Sequence, residues 1–369
     1  MIEISVLGCT GSIGSQTLDI ARANRDAIKI NALSCGSNVE LLCKLAKEFD
    51  CRILGIANED KYSELKAKAP KGAQIYCGDD ALETLARSAP LVVNAVVGMI
   101  GLKAVLAALD NKATVALANK ESLVAGGEIV KSALSRGGEL RPVDSEHSAV
   151  WQVSRGGKSF KRIILTASGG PFYFYDGSLE NVTVEQAVAH PNWNMGQKVS
   201  VDSATMMNKA LEIIEARWLF DTTDIDYVIH PESVVHSMVE YEDGSIKAQA
   251  SFPDMRQPIQ YAIFGEHAPR QYKELSLPLD LRFLPPDEKR FPAPLLAKEA
   301  IKAGGNAAVI LNAANEAAVR LFLERKIAFT DIVKTVQSTM KSERIEPLCG
   351  VESVFATHKR IYDKIYSLK

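Results

Sequence analysis

Residues 2–14 read Ile-Glu-Ile-Ser-Val-Leu-Gly-Cys-Thr-Gly-Ser-Ile-Gly, an apolar run that enters a glycine-rich turn. Ile2–Leu7 predicts a buried strand, and Ile13–Asn24 has the apolar spacing of a helix. The glycines follow G-x-x-G-x-x-G rather than G-x-G-x-x-G, but they equally let backbone approach a pyrophosphate at a helix start. This stretch predicts a Rossmann-like dinucleotide-binding domain; a tight turn without ligand is the alternative.

The same alternation of strand and helix continues to about residue 145. It predicts a doubly wound parallel sheet with helices on both faces, whose ligand lies at the carboxyl ends of the strands. Further strands are predicted at Ile28–Leu33, Arg52–Ala57, Gln74–Cys77, Leu91–Val96 and Thr114–Ala118, and further helices at Val39–Glu48, Asp60–Ala69, Asp79–Arg87, Ile100–Leu109 and Glu121–Ser135.

After Glu146 the pattern changes to that of a central α+β domain followed by a C-terminal helical bundle. The segment 167–198 is rich in glycine, proline, aromatic residues and asparagine, which predicts a lid or binding loop. We predict domains at 1–146, 147–266 and 295–369 with a proline-rich linker at 267–294. Predicted strands are Lys161–Thr166, Asp226–His230, Val234–Tyr241 and Ser245–Phe252, the last three antiparallel, and predicted helices are Met206–Phe220, Leu295–Ala303, Ala307–Glu324, Phe329–Met340 and Val354–Tyr366.

Composition bounds the class of protein. The 369 residues carry 43 basic and 45 acidic side chains, a net charge of −2, which argues against a general nucleic-acid role. No apolar run reaches the ~20 residues that span a bilayer, and the N-terminus lacks the features of a signal peptide. We therefore expect a cytoplasmic protein. The cysteines, predicted to be reduced core thiols rather than zinc ligands or disulfides, are Cys9, Cys35, Cys43, Cys51, Cys77 and Cys349.

The end of the second strand indicates which dinucleotide is bound. Enzymes that use NAD tend to place an acid here, on the ribose 2′-hydroxyl. Ser34–Asn38 contains no acid, and Ser37 and Asn38 can donate hydrogen bonds to a 2′-phosphate. The sequence favours NADP.

Two carboxylates, Asp144 and Glu146, follow the run Glu139–Val143. In an extended backbone they would point to one side, where a hard cation such as Mg²⁺ or Mn²⁺ would offset their repulsion. A solvated turn is the alternative unless a third carboxylate joins them, and Glu212 is the candidate.

Glu212 belongs to a predicted helix with Asp202 or Ser203 as its N-cap. This helix can present Asn208, Lys209 and Glu212 to a pocket, although a solvated polar face is the alternative. Asn119, at the end of the strand Thr114–Ala118, is equally consistent with a helix cap and with a role in catalysis.

Taken together, these segments resemble the 1-deoxy-D-xylulose 5-phosphate reductoisomerase family, and the likeness extends over the whole chain. Cys9 replaces the common serine of the turn, and Ser37 stands where many members carry a basic residue. The matching segments are GCTGSIG at 8–14, NKES at 119–122, VDSEHSA at 143–149, LTASGGPF at 165–172, HPNWNMGQKVSVDSATMMNKALEIIEARWLF at 190–220, HPESVVHSMV at 230–239 and PDMRQPIQYA at 253–262.

The resemblance implies conversion of 1-deoxy-D-xylulose 5-phosphate to 2-C-methyl-D-erythritol 4-phosphate with NADPH and a divalent metal ion, Mg²⁺, Mn²⁺ or Co²⁺, in the non-mevalonate route to isoprenoids. It implies that Trp193 closes over the substrate; a core aromatic is the alternative. The implied catalytic residues are Lys120, Glu121, Glu146 and His190, and the implied metal ligands are Asp144, Glu146 and Glu212. The implied NADPH contacts are Thr10, Gly11, Ser12, Ile13, Gly36, Ser37, Asn38, Asn119, Glu121 and Gly196. The implied substrate contacts are Lys120, Ser145, Glu146, Ser168, His190, Trp193, Ser203, Asn208, Lys209 and Glu212.

Two other functions fit part of the pattern. A metal-free NADP dehydrogenase acting on a semialdehyde or a sugar would not need the carboxylates and would keep its activity in EDTA. A non-catalytic NADP-binding sensor or scaffold would explain the glycine turn alone. The family resemblance also implies a homodimer, with Val234–Tyr241 as a candidate edge strand, and a small phosphorylated substrate rather than a nucleic-acid or membrane partner.

Overall fold

The computed structural model describes residues 1–154, 160–189, 196–269 and 273–367, with Asp79 described by its backbone alone. The strands are β1 (Ile2–Leu7), β2 (Ile28–Cys35), β3 (Ile53–Ile56), β4 (Gln74–Cys77), β5 (Leu91–Asn94), β6 (Thr114–Leu117), β7 (Glu139–Pro142), β8 (Phe160–Ala167), β9 (Ile225–Ile229), β10 (Val235–Tyr241) and β11 (Ile246–Ala250). The helices are α1 (Ser12–Ala23), α2 (Val39–Glu48), α3 (Tyr62–Lys68), α4 (Asp79–Ala86), α5 (Gly101–Asp110), α6 (Lys120–Leu134), α7 (Ser145–Ser154), α8 (Val184–Val188), α9 (Gln197–Ala204), α10 (Met207–Phe220), α11 (Arg256–Phe264), α12 (Ala293–Ala303), α13 (Ala307–Leu323), α14 (Phe329–Ser342) and α15 (Val351–Tyr366).

The chain forms two compact units. Unit 1 comprises Met1–Ser122, Glu128–Ser148 and Asp254–Glu274. Unit 2 comprises Leu123–Gly127, Ala149–Pro253 and Leu275–Lys369. The finer division into domains at 1–146, 147–266 and 295–369 stays a prediction.

Unit 1 is the predicted Rossmann-like domain. Its seven-stranded sheet has the order β4-β3-β2-β1-β5-β6-β7, and every neighbouring pair is parallel. β1 lies between β2 and β5, so the strand order reverses at β1, which is where such sheets bind ligands. The apolar core includes Ile4, Val6 and Leu54, all fully buried.

The helix α11 completes the core of unit 1, although it lies more than a hundred residues after β7 in the chain. It packs on α1, β6 and β7, and Ile259, Ala262 and Ile263 are buried in the unit 1 core. Arg141 of β7 donates to the carbonyl oxygens of Ala262 and Ile263, at 3.0 and 3.4 Å. The sequence did not predict this helix.

Unit 2 contains the second sheet and the predicted helical bundle. The sheet has the order β11-β10-β8-β9. α13 packs against α12, α14 and α15 and is buried along most of its length. Among the described helices, none has the length and apolar character that crossing a bilayer requires.

The prediction of three antiparallel strands is wrong for β9, which pairs parallel with β8. The chain between these two strands includes α8, α9 and α10, and a connection of this length allows a parallel crossover. The candidate edge strand Val234–Tyr241 is an inner strand, since β10 pairs with both β8 and β11. The edge strands are β11 and β9, and Ile246 of β11 is 53% exposed.

The segment predicted as one loop, 167–198, contains α8, capped by Thr183 and Gln186, and the start of α9. Residues 190–195 lie outside the described residues, so the lid stays a prediction.

His230 anchors the linker in unit 2. Its buried ring donates from Nδ1 to the carbonyl oxygen of Arg282 at 2.8 Å. Its Nε2 accepts from the backbone N–H groups of Val234 and Val235 at 3.1 and 3.0 Å, and the ring stacks on Phe283. Both ring nitrogens of His230 thus form hydrogen bonds with the backbone, although this histidine is the first residue of one of the motifs of the family resemblance.

Candidate functional site

The glycine turn after β1 is shaped by two positions where only glycine fits. Gly8 has φ +81°, and its N–H and that of Cys9 donate to the carbonyl oxygen of Ser34 at 3.1 and 2.8 Å. A Cβ on Gly14 would lie 2.2 Å from the carbonyl oxygen of Gly8, and one on Gly8 would lie 2.7 Å from that of Ala95. The turn is therefore packed between the ends of β2 and β5, where the strand order reverses.

The start of α1 is open to an anion. Gly11 is its N-cap without a side-chain cap, and the first turn has no acid. The N–H groups of Ser12 and Ile13 have no carbonyl oxygen four residues earlier in the helix to bind. Gly11 and Ser12 are exposed, and Thr10 and Ile13 are half-buried. These four predicted cofactor contacts form a helix start suited to a pyrophosphate.

The thiols beside this turn are held in the neutral form. Burial raises the pKa of Cys9 well above its usual value, and burial raises the pKa of Cys35 to about 11. Cys51 is buried as well, and its pKa is raised to about 11 for the same reason. None of the six cysteines forms a disulfide, and Cys9, Cys35, Cys43 and Cys51 are buried, but the prediction of a core thiol is wrong for Cys349, which is exposed.

The end of β2 offers neutral donors at the surface. Gly36, Ser37 and Asn38 are exposed. Asn38 is the N-cap of α2, and its side-chain oxygen accepts from the N–H of Leu41 at 3.1 Å. Its amide nitrogen and the Ser37 hydroxyl are donors that can face a phosphate group.

Asn119 is the N-cap of α6, one of the two roles that the sequence left open. Its Oδ1 accepts from the N–H of Ser122 at 3.0 Å. Its Nδ2 donates to the carbonyl oxygens of Val96 and Gly98 and to Glu121 Oε2, each at 3.0 Å. Asn119 therefore holds the loop after β5 against the start of α6, and Glu121 is buried beside it.

Lys120 and Asp144 meet at the carboxyl edge of the unit 1 sheet. Lys120 follows β6 and Asp144 follows the neighbouring strand β7, and their side chains form a close ion pair. Carboxylate oxygens of Asp144 and Glu146 lie within 4.8 Å of each other. The Ser145 hydroxyl donates to Glu146 Oε2 at 2.5 Å. Two predicted metal ligands and two predicted substrate contacts are thus adjacent.

The expected extended backbone at Asp144–Glu146 is wrong, because Ser145 begins α7 and Glu146 lies in its first turn. The two carboxylates are close because a helix starts between them. The same helix places His147, fully buried, with Nδ1 3.6 Å from Asp144 Oδ2. His147 was not among the predicted site residues, and its i,i+3 spacing from Asp144 indicates it only once the helix is known.

Half-buried Asn208 and buried Lys209 and Glu212 form a polar cluster on α10 in unit 2. Asn208 Nδ2 donates to Glu212 Oε1 at 2.5 Å, and Lys209 Nζ pairs with Glu212 Oε2. Lys209 is 3% exposed and Glu212 is fully buried. The three face one another, so the interpretation of a solvated polar face is wrong for this helix.

The predicted N-cap of α10 is also wrong. Asp202 and Ser203 lie inside the preceding helix α9, and the N-cap is Met206, whose φ of 60° is left-handed. The N–H of Met206 donates to the carbonyl oxygen of Ser203 at 3.2 Å. This turn connects the end of α9, which carries Ser203, to the start of α10, which carries Asn208.

A second loop of unit 2 reaches Ser203. Ser168 follows β8, and its hydroxyl accepts from the N–H of Gly170 at 3.2 Å. A Cβ on Gly170 would lie 2.7 Å from the carbonyl oxygen of Ser203. The loop after β8, the end of α9 and the start of α10 therefore offer two hydroxyls, an amide and an ammonium group, which belong to Ser168, Ser203, Asn208 and Lys209. Of the other predicted residues, His190 and Trp193 lie outside the described residues, and Gly196 is the exposed N-cap of α9.

Comparison with known families matches three segments that together make up most of the chain. Residues 4–127 match the model of 1-deoxy-D-xylulose 5-phosphate reductoisomerase. Residues 140–220 match the model of its C-terminal domain, and residues 250–363 match that of the DXP reductoisomerase C-terminal domain.

Individual relatives and solved structures agree. The reductoisomerase of Agathobacter rectalis is 44% identical over 99% of both chains, and that of Geobacter metallireducens is 46% identical over 97% of this chain and 96% of the relative. The structure of the Zymomonas mobilis reductoisomerase in complex with NADPH has 42% identity, covers 100% of this chain and 98% of its own, and superposes with a TM-score of 0.92. A DOX-P reductoisomerase in complex with NADPH, fosmidomycin and magnesium has 38% identity, the same coverage and a TM-score of 0.91. The chain therefore belongs to the 1-deoxy-D-xylulose 5-phosphate reductoisomerase family.

Proposed function

We propose that this protein converts 1-deoxy-D-xylulose 5-phosphate to 2-C-methyl-D-erythritol 4-phosphate, with NADPH and a divalent metal ion. The observation that carries the proposal is the placement of Lys120, Asp144 and Glu146 at the same sheet edge as the glycine turn. A dinucleotide site and a carboxylate site on one edge let a hydride donor and a metal-bound substrate meet. Family membership over the full chain supports this arrangement.

The carboxylates of this chain fit a hard divalent cation. Asp144 and Glu146 offer neighbouring oxygens, and we propose Glu212 as the third ligand. Carboxylate oxygens suit Mg²⁺ or Mn²⁺. Glu212 already shares its oxygens with an amide and an ammonium group, so its carboxylate is fixed in one orientation.

Each remaining group has a defined task in this proposal. When bound, the metal ion supplies Lewis acidity to substrate oxygens and NADPH supplies the hydride. Lys120 and Ser145 donate hydrogen bonds to substrate oxygens beside Asp144 and Glu146. The start of α1 binds the pyrophosphate of NADPH and the end of β2 binds its 2′-phosphate, and Asn119 and Glu121 hold the loop after β5 in place.

The substrate phosphate binds in unit 2 in this proposal. Ser168, Ser203 and Asn208 contribute neutral donors, and Lys209 contributes a positive charge held at a fixed distance by Glu212. Charge-assisted hydrogen bonds of this kind suit a phosphate dianion. We also assign His190 and Trp193 to the substrate side and Gly196 to the cofactor side, on the family resemblance alone.

The test is oxidation of NADPH, followed by the absorbance of the reduced nicotinamide, with and without substrate and Mg²⁺. We expect turnover only when all three are present and complete loss in EDTA that excess Mg²⁺ restores. Turnover in EDTA would indicate a metal-free dehydrogenase instead, and NADPH binding without turnover would indicate a sensor or scaffold.

We further propose that the protein acts in the cytoplasm as a homodimer. Light scattering of the purified protein should give twice the mass of one chain. A monomer that is fully active would contradict the homodimer without affecting the reaction.

A further inference from the structure

The helix α13 carries two fully buried amides among buried residues that are otherwise apolar. Asn312 and Asn315 are its only buried residues that are not hydrophobic, and both are 0% exposed. Burying an amide costs free energy unless the amide is hydrogen-bonded. A polar side chain at such a position therefore has a task that an apolar residue could not perform.

Asn315 binds a buried carboxylate on a different element. Its Nδ2 donates to Asp202 Oδ1 at 2.8 Å, and Asp202 is 1% exposed. The other oxygen of Asp202 pairs with Lys198 Nζ at 2.9 Å, one turn earlier on α9. Hydrogen bonds to charged groups are the stronger kind, and a buried one fixes both partners.

Asp202 directly precedes Ser203 in the last turn of α9. The carbonyl oxygen of Ser203 accepts from the N–H of Met206, the left-handed residue that starts α10. The Thr205 hydroxyl donates to the carbonyl oxygen of Asp202 at 3.2 Å and also accepts from the N–H of Met207 at 3.4 Å. The Thr205 hydroxyl donates to the carbonyl oxygen of Val201 as well, at 3.0 Å, so the last turn of α9 that contains Asp202 is tied to Ser203 and to the start of α10.

We propose that Asn315 is a positioning residue for the phosphate pocket, acting through Asp202 on Ser203 and on the start of α10. The C-terminal bundle thereby contributes to phosphate affinity without touching the phosphate. This inference rests on the proposed function, which places the phosphate at Ser168, Ser203, Asn208 and Lys209.

Two substitutions at Asn315 test the hydrogen bond between Asn315 and Asp202, hereafter the Asn315–Asp202 bridge, in the full chain. Inorganic phosphate is the probe, and its binding is measured by 31P NMR titration. Asn315→Leu keeps the approximate volume but removes the donor, so phosphate Kd and the KM for the phosphorylated substrate should rise by about tenfold or more. The Kd for NADPH should stay within about twofold of the wild-type value, because the glycine turn is in unit 1.

Asn315→Asp makes the bridge depend on pH. In acid the introduced carboxyl is protonated and can donate to Asp202, whereas at mildly alkaline pH the two carboxylates repel each other. The ratio of variant to wild-type phosphate Kd should therefore approach one in mild acid and rise with pH. Taking the ratio cancels the ionisation of phosphate itself, and this variant also serves if Asn315→Leu does not fold.

Val319→Ala is the matched control, since Val319 lies one turn further along α13 and is equally buried. It should lower the free energy of unfolding and leave phosphate Kd unchanged. Three results would each overturn the proposal. They are a loss of phosphate affinity in Val319→Ala equal to that in Asn315→Leu, an unchanged phosphate Kd in Asn315→Leu, and a Kd ratio for Asn315→Asp that does not vary with pH. Wild-type protein that binds no phosphate would overturn the pocket and this proposal together, whereas wild-type binding of phosphate without turnover would contradict only the proposed reaction.

Discussion

Glu212 shows what a buried carboxylate requires of its neighbours. It is fully buried, and Asn208 and Lys209 donate to its two oxygens. Removing one partner of a buried ion pair leaves the other charge without compensation, which costs more than the pair itself contributes. The three proposed metal ligands therefore differ, because Asp144 and Glu146 are only partly buried.

Amide substitutions of these carboxylates separate chemistry from stability. Asp144→Asn, Glu146→Gln and Glu212→Gln should each weaken metal binding and lower kcat/KM by at least about 10²-fold, since each removes a charged ligand. The Kd for NADPH without metal should change little. Glu212→Gln alone should lower the free energy of unfolding, by about 1–3 kcal/mol, because Lys209 loses its counter-charge. Full activity and normal metal dependence in Glu212→Gln would remove α10 from the metal site.

The cysteines should differ sharply in reactivity. The thiolate is the reactive form, and the raised pKa of Cys35 and of Cys51, about 11 in each case, keeps both protonated at neutral and mildly alkaline pH. In the native protein, iodoacetamide should label exposed Cys349 first and half-buried Cys77 more slowly. Peptide mapping by mass spectrometry would show this. Labelling of Cys9, Cys35 or Cys51 without unfolding would contradict the burial that the structure describes.

At the scale of elements, segments with strong apolar periodicity were predicted well, whereas the helices α9 and α11 were not predicted. The strands and helices from β1 to α6 have regular apolar spacing and were predicted to within a few residues. α11 was not predicted; its Pro258 is the third helical residue, where proline is tolerated because the missing N–H has no partner in the helix. α9 was missed because its residues have little apolar periodicity, and its polar members Asp202 and Ser203 suggested a cap instead.

The same limit applied to the candidate site. Residue types made Asp144, Glu146 and Glu212 candidates, but spacing in sequence does not show that Ser145 starts a helix. The bridge between Asp202 and Asn315 joins residues 113 apart, so only the folded chain reveals it. Local patterns give elements, and long-range polar contacts need the tertiary structure.

The loop between β2 and α2 should select the cofactor. Ser37 and Asn38 are exposed donors there, and the Asn38 oxygen is occupied by the cap of α2. We therefore expect a higher kcat/KM with NADPH than with NADH. Ser37→Asp should lower kcat/KM for NADPH by about tenfold and leave that for NADH nearly unchanged, because an acid repels the 2′-phosphate. Equal values for both cofactors in the wild-type protein would show that this loop does not contact the 2′-phosphate.

At the scale of the whole molecule, α11 makes unit 1 discontinuous in sequence. Ile259→Ala should lower the free energy of unfolding by about 2–5 kcal/mol, because Ile259 is fully buried in the unit 1 core. Hydrogen exchange should rise at backbone amides of β1 and β6. Ile246→Ala in exposed β11 is the control and should change stability by no more than about 0.5 kcal/mol. Faster exchange confined to α13 would contradict the assignment of α11 to unit 1.

The position of α11 in the chain also determines when the core of unit 1 can be completed during translation. A ribosome releases β1 to β7 first, then the whole second sheet, and only afterwards Arg256–Phe264. Until that segment emerges, the nascent dinucleotide-binding domain lacks Ile259 and Ile263 from its core and leaves apolar surface uncovered. The first domain to be translated therefore stays incomplete while the whole second sheet is made, and a nascent chain of this protein needs protection from aggregation until Phe264 has emerged.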